Sequence, residues 1–341
     1  MQERRIGISM GICTAILVCA ALYLARQVFA PVAFALFTIA LVWPLQRGLQ
    51  RHVPKLVAMV VTLAVTVIVL VGLGYMITWG FSHAGHWLIV NAARFQALYA
   101  ETAGWLEELG LYTTGMLADT FNVSWLVRLF QGIASRLNGM LGFGVVTLIF
   151  VMLGLLEIDI VRRKLESPSA GEAGRSLLRA GTEIGAKFRK YMVVRTIMSL
   201  LTGLSIWAFT ALAGLELAVA WGVIGFALNY IPFIGPLVAT LLPSLFALAQ
   251  FGSWEVAVTV FLGMNVIQFF SGSYIEPRVA GAALAISPFI VLLAVFFWSF
   301  MWGIGGAFIG VPLTIAALTL CEHNSSTRWI ARLLSGREAE A

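Results

Sequence analysis

The chain has 341 residues, of which 60% are hydrophobic and only 11% charged, whereas a water-soluble domain carries roughly a quarter charged residues. That balance excludes an ordinary soluble fold and points to a bilayer as solvent, where only helices and closed barrels satisfy every backbone amide; these apolar runs lack the alternation of barrel strands. The net charge of +6 is dispersed in short basic segments between the runs, a pattern that orients membrane proteins and gives no footprint for nucleic acid.

Arg4 and Arg5 followed by Ile6–Ala25 resemble a secretory signal, but no cleavage site follows. The stretch approaches the roughly 20 residues needed to span a bilayer, so it reads as a retained first helix. A second run extends from Val28 to Leu45, with Pro31 near its start, where proline costs a helix little. Arg47, Arg51, His52 and Lys55 form a basic loop before a third run, Leu56–Trp79. Residues 1–79 thus hold three predicted spans.

From Gly80 to Gly139 charged residues mix with aromatic and aliphatic ones. Helical spacing of Trp105, Leu106 and Leu109, then of Leu126, Leu129, Phe130 and Ile133, predicts amphipathic helices in an extracytoplasmic insert. A fourth span covers 140–158. Residues 159–195, rich in arginine and lysine, predict a cytoplasmic helical segment.

Residues 196–320 form a C-terminal membrane domain almost without charge, and 321–341 a cytoplasmic tail. Its runs lie at Thr196–Leu215, Leu217–Ile231, Leu237–Gln250, Val256–Tyr274 and Pro288–Leu320. The last would reach about 50 Å as one helix, but Gly303, Gly305, Gly306, Gly310 and Pro312 give it places to break. Glu216–Gln250 has Pro232, Gly235 and Pro236 at its centre. Both segments read as discontinuous helices or re-entrant hairpins, giving eight crossings if each counts once and ten if each counts twice. With both termini cytoplasmic, 17 of the 22 basic residues fall inside, as the positive-inside rule prefers. The fold class expected is an all-α polytopic membrane protein.

Two constellations carry the chemistry. In Asn229–Pro236 the breakers free backbone groups that protein, water or a passing solute must re-satisfy. Broken helices of this kind build mid-membrane sites in transporters, although a tight turn between two ordinary spans gives the same pattern. Asn229 is the side chain expected to matter most there. The second joins Asn265, Gln268, Ser271 and Ser273 to Glu276, Pro277 and Arg278. Asn265 and Gln268 share one helical face, so a polar stripe leads toward a carboxylate. Glu276 could carry a coupling proton, bind a cation, or pair with Arg278. Acids at membrane depth are functional candidates by default. Glu216 and Glu255 each begin a span, where a carboxylate suits the positive helix end. Gly306 and Gly310 stand in GxxxG spacing, which suits close helix packing.

His83 and His86 have no companion ligands, so no metal site is expected. The sequence has no Walker phosphate loop, HExxH or GxSxG. The expectation is neither an enzyme nor an ATP-driven pump, and no cofactor.

The order of these elements, with IPFIGP at Ile231–Pro236, EPRVAG at Glu276–Gly281, then Pro288 and a glycine-rich segment ending at Pro312, resembles the autoinducer-2 exporter-like (AI-2E) family of permease-like transporters over nearly the whole chain. The resemblance implies about eight spans, transport without ATP, a bacterial inner-membrane location and a homo-oligomer. It implies no substrate; family candidates are an autoinducer-2-like signal and sodium/proton exchange. Two departures stand out: Ala282 and Ala283 where a basic residue is expected after the EP motif, and Arg195 where glutamine is. On this reading Asn229, Pro232, Gly235, Pro236, Asn265, Gln268, Glu276 and Arg278 line the path of a small solute or cation. Gly281, Pro288, Gly303, Gly306, Gly310 and Pro312 serve as hinges or packing points. The rival reading is a membrane-embedded uncoupled pore or scaffold.

Overall fold

A computed structural model describes residues 2–91, 93–94, 124–280, 286–324 and 327–334. The helices in chain order are α1 (Gln2–Leu24), α2 (Arg26–Leu49), α3 (Lys55–Val90), α4 (Ser124–Glu166), α5 (Gly171–Leu212), α6 (Ala218–Leu228), α7 (Ile234–Phe251), α8 (Trp254–Phe269), α9 (Glu276–Ala280), α10 (Pro288–His323) and α11 (Arg328–Leu334). A 3₁₀ turn at Pro168–Ala170 precedes α5, and a π-helical stretch at Phe270–Ile275 joins α8 to α9. No strand element occurs among the described residues. Seven helices are long and apolar enough to cross a bilayer, with shorter apolar stretches at Cys13–Leu24 and Ala218–Leu228. The chain is an all-α polytopic membrane protein.

Helix ends differ from the expected segment limits. α5 runs unbroken through 195/196, and α4 through 139/140. Neither position carries a proline, so a change in side-chain charge alone left the backbone ladder intact. Of the expected amphipathic insert, residues 95–123 lie outside the described residues, as does Gly281.

The chain divides into two compact units. The first comprises Met1–Val65, Gly142–Tyr191 and Ala282–Ala341. Its core gathers Ala35 and Ile39 of α2, Met59 of α3, and Val151 and Leu155 of α4. Phe34 stacks on Phe308 of α10, and Phe37 meets Phe188 of α5 edge-on at 5.1 Å. Lys55 pairs with Asp159 at 2.8 Å. Lys187 contacts Glu183 at 2.7 Å and Glu322 at 3.2 Å, and His323 lies 3.5 Å from Glu183.

In this unit α10 is two arms. Trp302 (φ −131°, ψ 16°) and Gly303 (φ 67°, ψ −148°) leave the helical region, and only glycine takes the Gly303 conformation at low cost. A Cβ built on Gly310 would lie 3.0 Å from the Ala294 carbonyl oxygen, although those residues would be about 24 Å apart along a straight helix. The arms therefore fold back on each other. Gly306 is equally close-packed, since a Cβ there would collide with the Trp298 carbonyl. Pro312 is buried in the second arm, and Pro288 occupies the first turn of the first, after Ser287. The expected break thus sits at Gly303, while Gly306 and Gly310 let the arms touch.

The second unit comprises Thr66–Leu141 and Met192–Gly281. Its core is larger: Phe81, Ala84, Trp87 and Leu88 of α3 pack with Ile206 of α5, Trp221 and Ile224 of α6, Ala239, Phe246, Ala247 and Ala249 of α7, and Val260 and Met264 of α8. Trp221 and Phe246 have ring centroids 5.0 Å apart, so α6 and α7 lie antiparallel as a hairpin whose tip is 229–233. α6 sits close on α5 through glycine, because a Cβ on Gly203 would come within 2.8 Å of the Gly222 carbonyl oxygen. Small residues allow such approach in membranes.

Candidate functional site

The tip of the α6–α7 hairpin is built from its breakers. α6 ends at Leu228, and the Asn229, Tyr230 and Ile231 amides close one further turn by donating hydrogen bonds to the carbonyls of Gly225, Ala227 and Leu228. Pro232, buried, has no amide to continue the ladder. Phe233 adopts φ 63° and ψ −55°, and the Ile234 amide donates to the Pro232 carbonyl at 2.7 Å. This is a γ-turn of the strained, positive-φ kind. Pro236 then falls in the first turn of α7, where its missing N–H leaves nothing unsatisfied. Gly235 has no room for a side chain, since a Cβ would strike the Leu228 carbonyl.

Helix termination leaves carbonyls without intrahelical donors, and Arg195 of α5 meets one of them. Its Nη1 donates to the Asn229 carbonyl oxygen at 3.4 Å. The same nitrogen lies 3.2 Å from Oε1 and 3.3 Å from Oε2 of Glu276. The Arg195 side chain is 8% exposed and that of Glu276 28%. One cation thus faces both the negative end of α6 and a carboxylate.

Uncharged polar groups surround this pair. Asn229 is buried, and its Nδ2 reaches Ser199 Oγ and Thr202 Oγ1, each at 3.5 Å. Both bonds sit at the outer limit for hydrogen bonding. The Tyr230 hydroxyl donates to Thr196 Oγ1 at 3.0 Å.

Of the second constellation, only part joins this cluster. Glu276 begins α9, delivered there by the π-helical Phe270–Ile275. A π segment inserts a residue into the helical repeat, so the stripe extrapolated from Asn265 does not continue to Glu276 on one α-helical face. Asn265 is exposed and donates to its own helix at Phe261 O, 2.7 Å away. Ser271 is buried and bonds back to Ile267 O at 2.8 Å; Ser273 is exposed. Gln268 is half-buried, and its Nε2 has no hydrogen-bond partner among the described residues. Arg278 is not the ionic partner of Glu276: it is exposed and its guanidinium stacks on Tyr274, 3.6 Å from the ring centroid. Two residues apart on a helix, the side chains at 276 and 278 point in different directions.

Arg195 is the residue that sequence reasoning missed. It appeared as the last of a basic run and as a departure from a family pattern. The available signal was its position: it is the basic residue furthest into the run that becomes the next apolar span, where a lone cation needs a partner.

The remaining acids have other roles. Glu216 accepts a hydrogen bond from the Trp87 indole, and its amide bonds to Gln250 Oε1 at 2.8 Å. Glu255 bonds to the Ser253 hydroxyl at the start of α8. His83 Nδ1 lies 2.9 Å from Trp79 O. No cluster of three metal-ligating side chains occurs among the described residues.

Seven helices of membrane-spanning length, with Arg195 of α5 and Glu276 of α9 paired beside the α6–α7 tip, mark a polytopic membrane protein with a charged group at a broken helix. The comparisons agree: residues 12–325 match the model of the AI-2E family transporter. The chain belongs to that family. It is 27% identical over 320 residues to the AI-2 transport protein TqsA of Escherichia coli, covering 93% of this chain and 92% of the relative. A Haemophilus influenzae chain named for transport, with no substrate in its name, is 25% identical over 348 residues, 96% of each. A third, from Borreliella burgdorferi, is 29% identical over 205 residues, 59% of this chain and 57% of the relative.

Proposed function

We propose that this transporter is a secondary permease, driven by a solute or ion gradient rather than ATP, whose path runs past the Asn229–Pro236 tip and Glu276. The observation that carries the reading is the Arg195–Glu276 pair at a broken helix. Burying two charges is costly unless they are well paired, and freed backbone at membrane depth occurs where it is buried in protein or lines a water-filled cavity. Pro232, Gly235 and Pro236 shape the tip, and the half-buried Gln268, whose Nε2 has no hydrogen-bond partner among the described residues, supplies a further donor to the path. Arg278 and Asn265 belong to the rim of the path.

The solute is small. The name of the Escherichia coli relative supports an autoinducer-2-like molecule as one candidate, and the single carboxylate of Glu276 suits proton or sodium exchange as the other. Orientation with both termini in the cytoplasm of a bacterial cell, across its inner membrane, draws support from two ion pairs. Lys55–Asp159 joins the end of the α2–α3 loop to the basic end of α4, and Lys187–Glu322 joins the basic segment to the C-terminal end of α10. Basic segments that share a face satisfy the positive-inside rule together. The segment limits read from sequence, with residues 80–139 outside and 159–195 inside, accord with that orientation, and assembly is as a homo-oligomer.

The test is proton and sodium flux in proteoliposomes under an imposed sodium gradient, with internal pH followed for the wild type and Glu276→Gln. Flux that disappears in the variant makes Glu276 the coupling group. Flux of equal size in both removes the coupling role and favours an uncoupled pore.

A further inference from the structure

We propose that α11 is an anchor to anionic phospholipid: Trp329 and Leu333 enter the edge of the hydrocarbon, and Arg328 and Arg332 bind the headgroup phosphates beside them. This anchoring is independent of the solute path, and all its residues belong to the first unit.

The level of α11 follows from how its start is tied down. Leu320 closes the apolar run of α10, and Glu322 is the first charged residue beyond it. Thr327 Oγ1 donates to the Cys321 carbonyl and Arg328 Nε to the Glu322 carbonyl, each at 3.2 Å. The chain therefore turns back at once against the end of the span. α11 begins where hydrocarbon gives way to headgroups, not out in the aqueous phase.

A helix of seven residues is too short to persist alone in water, so its surroundings decide what it does. Ala331 is 2% exposed, and Ile330 and Leu334 are half-buried; that side docks on the protein. Successive residues turn about 100°, which leaves two stripes on the other side, each a pair of residues four apart. One is apolar, with Trp329 64% and Leu333 72% exposed. The other is Arg328 and Arg332, both exposed. A solvated face accounts for the arginines but not for a bare tryptophan and leucine beside them. Tryptophan is enriched at the headgroup level, and an apolar stripe flanked by cations is what an interfacial helix presents to a bilayer.

Charge selects the lipid. Ser176 Oγ of α5 donates to the His323 carbonyl at 3.4 Å, so the exposed Arg175 and Arg179 of α5 flank the same end of α10. Two carboxylates at this end, Glu183 and Glu322, both contact Lys187. Cations held at a bilayer surface favour anionic over zwitterionic lipid. A second copy of the chain seated here in a two-fold contact would set the same arginines against each other.

The test is hydrogen exchange of the α11 amides in the full-length chain, reconstituted in discs of phosphatidylcholine alone and in discs that also contain phosphatidylglycerol. Exchange is expected to be on the order of tenfold or more slower with the anionic lipid, as two arginines near a charged surface allow. High salt should shrink that difference in the wild type. Arg328→Gln combined with Arg332→Gln should remove it, while Arg328→Lys combined with Arg332→Lys should retain it, which separates charge from a structural role of the side chains. Trp329→Ser combined with Leu333→Ser should speed exchange in both kinds of disc. Equal exchange of the wild type in the two lipids overturns the proposal, and the salt series decides the matter if the glutamine variant does not fold. Protection that appears only with more than one copy per disc, whatever the lipid, also overturns it and makes the face a contact between chains.

Discussion

The two helical hairpins differ in how their tips satisfy freed backbone. At the α6–α7 tip the chain turns through Pro232 and a strained Phe233, and an orphan carbonyl is met by Arg195, itself paired with Glu276. At the α10 tip the chain turns through Trp302 and Gly303 with no charged residue nearby in sequence. There the Trp302 indole donates to Leu22 O of α1 at 3.2 Å, and Trp298 and Trp302 pack with centroids 4.7 Å apart. One tip is polar, strained and ionic; the other is aromatic and uses glycine where positive φ is needed. Charge and strain are expensive, and proteins keep them where function depends on them. The contrast teaches that a break in an apolar helix is not by itself a site: it becomes one when buried polar groups converge on it.

Three experiments would break or sharpen that contrast. The largest effect is expected at the ion pair. Removing one partner of a buried pair costs about 3–5 kcal/mol because a charge is left uncompensated. Glu276→Gln, which strands the more deeply buried Arg195, should destabilise more than Arg195→Gln, which leaves the partly exposed Glu276. The double variant should recover much of the loss. Unfolding of all three in one detergent measures this, and additive losses would mean that the two side chains are not coupled.

Next comes packing at the other hairpin. Gly306→Ala forces a methyl against the Trp298 carbonyl, and overpacking of this kind costs about 1–3 kcal/mol. A lowered melting temperature of the purified chain is expected. Unchanged stability would show that the two arms separate easily.

The smallest effect is backbone strain. Phe233→Gly should gain about 1 kcal/mol by relieving positive φ, offset in part by the apolar contact of a ring 47% exposed. Gly303→Ala should lose a similar amount, since alanine at φ 67° is disfavoured. A melting temperature that rises for the first and falls for the second would confirm opposite uses of the same backbone region. If Phe233→Gly also slows flux, the strain at the tip serves the transport cycle.

Much of the architecture was legible because lipid makes composition explicit. Runs such as Leu56–Trp79 must be helical where no water can serve their amides, and Pro232, Gly235, Pro236 and Gly303 announce breaks because they cannot continue a helix cheaply. The ionic partner of Glu276 was not legible. Nearness in sequence favoured the neighbour Arg278 and hid Arg195, which lies 81 residues away. The π-helical Phe270–Ile275 was equally silent, because its inserted register follows from tertiary packing and not from a breaker residue.

What the sequence determined by itself is therefore local: which segments are helices, where they break, and that the solvent is a bilayer. Each of these follows from the energetics of single side chains and their nearest neighbours. Only the tertiary structure decided that both breaks fold into antiparallel arms, and that Arg195 faces the end of α6 and Glu276. Those outcomes depend on which distant helices can approach closely, as Gly203 and Gly222 allow, and on a buried charge having to find its partner wherever the fold brings one.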